Sequence, residues 1–208
     1  MTAPVRVLLV DDHAVVREGY RRLLEREPDI EVVGEAGNAT QACEQALALC
    51  PDVVVMDIAL PGTSGIEAMR RMLTERPRMR VLMFSMHDDA IFSSRALEAG
   101  ALGYLSKASA PEVLLQAIHD VSRGERYVSP DVAANMARSA SSSGLETLTA
   151  REFEVLRLLV QGETLKDIGE RLGLSEKTVA NHQSTIREKL GAKNGMQLAR
   201  LGARLGLT

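Results

Sequence analysis

The sequence predicts an α/β domain, a doubly wound five-stranded parallel sheet, followed by a small all-α helix-turn-helix domain. Three features carry that prediction. Residues 5–122 alternate five times between a short apolar run and a stretch of helical periodicity. Residues 139–144, SASSSG, are small and polar and make the clearest break in the chain. Beyond that break the periodicity is helical only.

The predicted strands are Val5–Val10, 30–34, Val53–Met56, 81–84 and 102–105. Runs such as VRVLLV and VVVM have no polar alternation, which suits parallel strands covered on both faces. Helices are expected near 13–26, 39–49, 64–75, 89–99 and 110–122. Val16, Tyr20, Leu23 and Leu24 share one helical face; so do Ile66, Met69 and Leu73, and so do Val113, Leu114, Ala117, Ile118 and Val121. Residues 129–138 read as a short helix, with Ser129 as N-cap and Pro130 in the first turn. The resulting division is a first domain over 1–122, a linker over 123–147 that holds this helix, and a second domain over 148–208.

In the second domain Thr149 and Glu152 form a capping box that starts a helix. Leu156, Leu159 and Val160 make its apolar face, and Gly162 ends it. A second helix covers 164–172 and stops at Gly173. A third starts after Ser175 as N-cap and runs to Leu190. A fourth spans 194–205. A short helix, a turn with Gly173 and a longer helix form the helix-turn-helix pattern. Leu198, Leu201 and Leu205 stripe the last helix, either closing the domain's own core or offering a seam to a second copy.

Charge is uneven. Residues 1–146 hold 15 Lys and Arg against 21 Asp and Glu, whereas 147–208 hold 10 against 7. An acidic module joined to a basic one suggests a nucleic-acid-binding C-terminal part. Cys43 and Cys50, the only cysteines, lie seven residues apart in one amphipathic segment, so they suggest reduced thiols rather than a disulfide framework or metal motif. The chain begins directly in a strand-like run and has no uncharged stretch long enough to span a bilayer. A cytoplasmic protein without a membrane partner is expected.

In open parallel sheets, function gathers at the carboxyl ends of the strands. Asp11 and Asp12 follow the first strand, Asp57 the third, Ser85 ends the fourth, and Ser106 and Lys107 follow the fifth. Crowded carboxylates repel, and the cluster favours a bound cation or raised pKa values. Hard oxygen ligands suit Mg²⁺. A carboxylate can act as a nucleophile and form an aspartyl-phosphate. The charge on a transferred phosphoryl group then needs partners such as the Lys107 ammonium and the Ser85 hydroxyl.

These residues resemble the flavodoxin-like receiver domain of response regulators. The resemblance rests on Asp11-Asp12-His13, the run from Met56 to Gly65, Ser85, and Tyr104-Leu105-Ser106-Lys107, and it covers residues 5–122. It implies that Asp57 accepts phosphate from a sensor histidine kinase. It further implies Mg²⁺ held by Asp12, Asp57 and the Ala59 carbonyl with help from Asp11, and Ser85 and Tyr104 as a switch pair. Two positions at the pocket mouth depart from the usual receiver: Ala59 is small and apolar where many carry a larger or polar residue, and Met86 is bulkier than the small residue many carry after Ser85. An aspartyl-phosphate phosphatase would carry a second Asp where Ala59 stands.

The segment 148–205 resembles the LuxR-type domain of the NarL/FixJ class, through Leu148-Thr149-Ala150-Arg151-Glu152, Lys166-Asp167-Ile168, Lys177-Thr178-Val179, His182 and Lys189-Leu190. In the third helix Val179, Ile186 and Leu190 face inward. Lys177, Asn181, Ser184 and Glu188 face outward, flanked by Ala180 and Thr185. The resemblance implies that this helix enters the major groove of double-stranded DNA, with Lys177, Thr178, Ala180, Asn181, Ser184, Thr185 and Lys189 as contacts. Ala180 stands where the family commonly has Lys. The resemblance also implies a homodimer promoted by phosphorylation, and a receiver that partly masks the recognition helix at rest. A constitutive DNA-binding protein and a LuxR-type receptor for a small diffusible signal are the remaining readings. The Asp57, Ser85 and Lys107 set disfavours both.

Overall fold

The structure, a computed structural model, describes residues 3–86, 90–139 and 147–198. The chain divides into two compact units, residues 1–139 and 140–208.

The first unit is a parallel sheet with helices on both faces. Its strands are β1 (Val5–Val10), β2 (Ile30–Ala36), β3 (Val53–Met56), β4 (Val81–Ser85), β5 (Gly103–Ser106) and β6 (Tyr127–Val128). Their spatial order is β2-β1-β3-β4-β5-β6. The helices are α1 (Ala14–Leu24), α2 (Ala39–Leu49), α3 (Gly65–Glu75), α4 (Ala90–Glu98), α5 (Pro111–Ser122) and α6 (Pro130–Ser139). The order reverses between β1 and β3, the type of point where parallel sheets place ligands. β1, β3, β4 and β5 are buried almost throughout, because they lie inside the sheet and are covered on both faces.

Two features differ from the sequence reading. The sheet has six strands rather than five: Tyr127 and Val128 pair in parallel with Gly103 and Tyr104. A two-residue strand carries too little periodicity to be read from sequence. The segment 123–139, read as linker, therefore continues the first unit through β6 and α6. Pro130 opens α6 as expected, but the buried Ser129 hydroxyl forms no hydrogen bond among the described residues and does not cap it. Residues 140–146, which include most of the SASSSG break, lie outside the described residues.

The second unit contains α7 (Ala150–Val160), α8 (Leu165–Leu172) and α9 (Glu176–Lys189). The Thr149 and Glu152 capping box is present. A second box, Thr164 with Asp167, starts α8, and the Ser175 hydroxyl accepts from the Thr178 amide to start α9. Gly173 ends α8 with φ +63, in the left-handed region that glycine enters freely. Packing of α7 differs from the reading. Phe153, Val155, Leu156 and Leu158 are buried, whereas Leu159 and Val160 are half-buried. The helix packs against both α8 and α9, so its buried surface exceeds one stripe. Residues 195–198 are helical and Leu198 is buried; Leu201, Leu205 and the rest of the expected fourth helix lie outside the described residues. Among the described residues no helix is long and apolar enough to cross a membrane.

Candidate functional site

β1, β3, β4 and β5 deliver Asp11, Asp57, Ser85 and Lys107 to one edge of the first unit. The register fixes this: Val10 pairs with Met56, and Ser85 with Ser106, so the residues just beyond each strand end are neighbours. The Asp57 amide donates to the Val10 carbonyl at 2.9 Å, and the Lys107 amide to the Ser85 carbonyl at 2.8 Å. Backbone bonds thus place the site before any side chain contributes.

Lys107 lies between two buried carboxylates. Its Nζ donates to Asp11 Oδ2 at 2.6 Å and to Asp57 Oδ2 at 2.5 Å, and its side chain is only 6% exposed. Burial pushes the Asp57 carboxyl up from its ordinary value; the Lys107 charge and hydrogen bond and the Ala59 amide oppose that push. For Lys107 burial pulls the other way, but Asp57 and Asp11 outweigh it and hold the ammonium above its ordinary value. The positive charge is therefore firmly present beside a carboxylate whose ionisation burial resists.

The loop after β3 is tightly drawn. The Ala59 amide donates to Asp57 Oδ1 at 3.3 Å, and the Gly65 amide to the Ile58 carbonyl at 2.8 Å. A Cβ on Gly65 would lie 1.9 Å from the Asp57 carbonyl oxygen, so only glycine fits there. Ser64, buried, then caps α3.

Asp11, Asp12 and His13 bring ligand atoms within 4.8 Å of one another. Asp12 Oδ1 is buried and accepts no hydrogen bond among the described residues, although His13 Nδ1 lies 2.7 Å from it. A buried carboxylate oxygen without a donor is costly, and a cation relieves that cost. Ser85 and Tyr104 are fully buried on adjacent strands.

In the second unit Lys177, Asn181, Ser184 and Glu188 are exposed along one line of α9, while Val179 and Ile186 are buried on the other side. Ala180, Thr178 and Thr185 are half-buried beside that line. The Thr178 hydroxyl lies 2.7 Å from that of Ser175. Lys189 behaves differently from Lys177: its ammonium donates to Glu152 Oε2 at 2.6 Å, which ties the end of α9 to the start of α7. Burial raises the Glu152 carboxyl, but Lys189 and Thr149 outweigh it and hold the group below its ordinary value. Burial also lowers His182.

The response regulator receiver domain model matches residues 7–119. The model of bacterial regulatory proteins of the luxR family matches residues 146–201. The response regulator UvrY of Escherichia coli K12 is 36% identical over 208 residues, 98% of this chain and 95% of that protein. The chain belongs to the NarL/FixJ response regulators. The transcriptional regulatory protein UhpA of the same organism is 40% identical over 197 residues, 94% of this chain and 96% of its own. Among solved structures, RcsB of Salmonella typhimurium superposes with a TM-score of 0.65 at 25% identity, covering 98% of this chain and 100% of that one. RcsB has also been solved in complex with DNA. As in that family, the regulator joins a receiver domain to a LuxR-type helix-turn-helix.

Sequence reasoning found the pocket residues but missed two that hold them, Arg17 and Glu35. Arg17 follows Asp-Asp-His by one helical turn, and helical side chains lean toward the N-terminus, so its reach back to Asp11 had a signal. Glu35 had none, because its place beside Arg17 depends on β2 lying next to β1.

Proposed function

We propose that Asp57 accepts a phosphoryl group from a phosphohistidine of a sensor kinase and that the phosphorylated regulator binds double-stranded DNA through α9. The observation that carries this reading is the buried convergence of Asp11, Asp57 and Lys107, with a helix-turn-helix on the same chain.

An Asp57 carboxylate oxygen attacks phosphorus. The new P–O bond forms as the bond from phosphorus to the donor nitrogen breaks, and that electron pair leaves with the imidazole. Lys107 and the Ser85 hydroxyl hold the phosphoryl oxygens, and Tyr104 follows Ser85 as its switch partner. Asp11, Asp12, Asp57 and the Ala59 carbonyl would hold Mg²⁺. The unpaired Asp12 oxygen and the hard-oxygen donor set fit that ion. Held there, the ion would supply charge neutralisation for the phosphoryl oxygens. The chain transfers phosphate only to and from itself, so its output is occupancy of a site on DNA rather than a product.

On DNA, Asn181 and Ser184 read bases, Lys177 contacts phosphate, and Ala180, Thr178 and Thr185 line the groove. The pairing of Lys189 with Glu152 favours an anchoring role for that residue. A helix-turn-helix domain this small offers few base contacts, so two copies on paired half-sites are expected, with phosphorylation promoting the homodimer.

The test is intact-protein mass after incubation with Mg²⁺ and a small acyl phosphate. Wild type should gain one acid-labile phosphate, and Asp57→Asn, which keeps the volume, should gain none. Equal labelling of Asp57→Asn would refute the assignment. Continuous turnover of many phosphate esters would favour a phosphatase.

A further inference from the structure

The geometry points to Arg17 as a positioning residue for the cation-binding turn Asp11-Asp12-His13. This inference rests on the Mg²⁺ reading above and names the residue that shapes the turn from behind.

Arg17 is the fourth residue of α1, and its half-buried guanidinium makes two directed bonds. Nη1 donates to the Asp11 carbonyl at 2.5 Å, and Nε donates to Glu35 Oε2 at 2.9 Å. Glu35 is itself held. Its second carboxylate oxygen accepts from Arg21 at 2.7 Å, and its backbone carbonyl accepts from Gln45 at 2.6 Å. The Asp11 amide donates to the Ala36 carbonyl, one residue beyond Glu35 on β2. The planar fork therefore spans the end of β1 and the end of β2 from a helix that starts at the turn itself.

The Asp11 carbonyl belongs to the peptide unit that joins Asp11 to Asp12. That unit is rigid and planar, so fixing its oxygen fixes the direction in which Asp12 leaves it. On the other side, Asp11 Oδ1 accepts from the His13 amide at 2.8 Å and Oδ2 from Lys107. Removing Arg17 would release the only side-chain bond to that carbonyl among the described residues and free the plane to turn. The Asp12 oxygen left without a donor is the atom whose aim would be lost. Outer-shell partners of metal ligands act in this way.

The sign of the effect separates positioning from plain charge. By charge alone Arg17 repels a cation, so its loss would tighten Mg²⁺ binding. By positioning, its loss weakens binding.

The experiment is Mg²⁺ titration of the full-length protein by calorimetry, without phosphodonor, for wild type, Arg17→Gln, Arg17→Lys, Glu35→Gln and Arg22→Gln. Positioning expects Arg17→Gln to weaken Mg²⁺ binding roughly tenfold or more. Arg17→Lys, which keeps the charge but loses the fork, should fall between that variant and wild type. Glu35→Gln, which loosens the fork without touching the turn, should weaken binding less than Arg17→Gln. Arg22→Gln, at an exposed residue that among the described residues pairs only with Glu18, should match wild type. If Arg17→Gln fails to fold, Arg17→Lys and Glu35→Gln decide alone. Unchanged or tighter binding in folded Arg17 variants, or wild-type affinity in both Arg17→Lys and Glu35→Gln, would overturn the role. Wild type that takes up no Mg²⁺ would overturn the metal reading, and the positioning role with it.

Discussion

The acidic pocket and the recognition helix both depend on polar side chains, but they hold them in opposite ways. In the pocket Asp11, Asp57 and Lys107 are almost fully buried and bonded to one another. On α9 the groups that would touch a partner, Lys177, Asn181 and Ser184, are exposed. Buried polar groups are costly unless each is matched, so a pocket of this kind admits few arrangements and few chemistries. Exposed groups carry no such restriction, which lets one fold present many base-reading faces. The first region therefore specifies a reaction, whereas the second specifies only where a partner is read.

Changes can break or sharpen that contrast. The largest effect is expected from Gly65→Ala. Its Cβ would meet the Asp57 carbonyl at 1.9 Å, a backbone atom that cannot move without displacing Asp57, the proposed acceptor. Loss of phosphate uptake and about 3 kcal/mol of stability are expected, measured by mass and denaturant unfolding. A folded, fully phosphorylatable variant would show that the pocket is looser than the contrast requires. Next, Asn181→Ala should cost on the order of 1–3 kcal/mol on the preferred DNA site and little on random DNA. Equal losses in gel-shift titrations on both would show that Asn181 does not read bases.

Smaller effects test the boundary between the two kinds of site. Glu152 belongs to the buried kind, although it serves the helix that carries the exposed face. Glu152→Gln should cost on the order of 1 kcal/mol near neutral pH. The folded-state pKa of Glu152 is depressed, so its contribution is present above the ordinary 4.5 and is lost as pH falls through the folded value. The stability gap between wild type and Glu152→Gln should therefore narrow below about pH 4.5; a gap constant with pH would contradict the ion pair with Lys189. The smallest change is expected in salt dependence. Lys177→Ala should reduce the slope of log affinity against log salt by about 1, and Lys189→Ala should leave it unchanged. Equal reductions would place Lys189 on phosphate rather than on Glu152.

The same contrast explains what was legible in sequence. Asp11, Asp12, Asp57, Ser85 and Lys107 each follow or end an apolar run, and the rule that parallel sheets work at their carboxyl ends gathers them without coordinates. The caps at Thr149 and Ser175 were legible because capping is local. The sixth strand was not, since two residues carry no period. Nor was the Lys189–Glu152 pair, whose partners lie 37 residues apart and meet only when α9 packs on α7. Leu159 and Val160 belong to the apolar face read from sequence but are only half-buried, whereas Phe153, Val155 and Leu158 are buried beside Leu156. The Arg17–Glu35 pair needed the β2-β1 adjacency that only topology supplies.

The central claim is that chemistry in the buried site controls reading by the exposed one. Its most direct measurement is a titration of full-length regulator onto its preferred DNA site, with and without Mg²⁺ and a small acyl phosphate, alongside sedimentation of the same samples. Phosphorylated wild type should dimerise and bind more tightly, Asp57→Asn should show neither change, and the segment 145–208 should bind without phosphate. Phosphorylated protein that stays monomeric with unchanged affinity for DNA would contradict the claim.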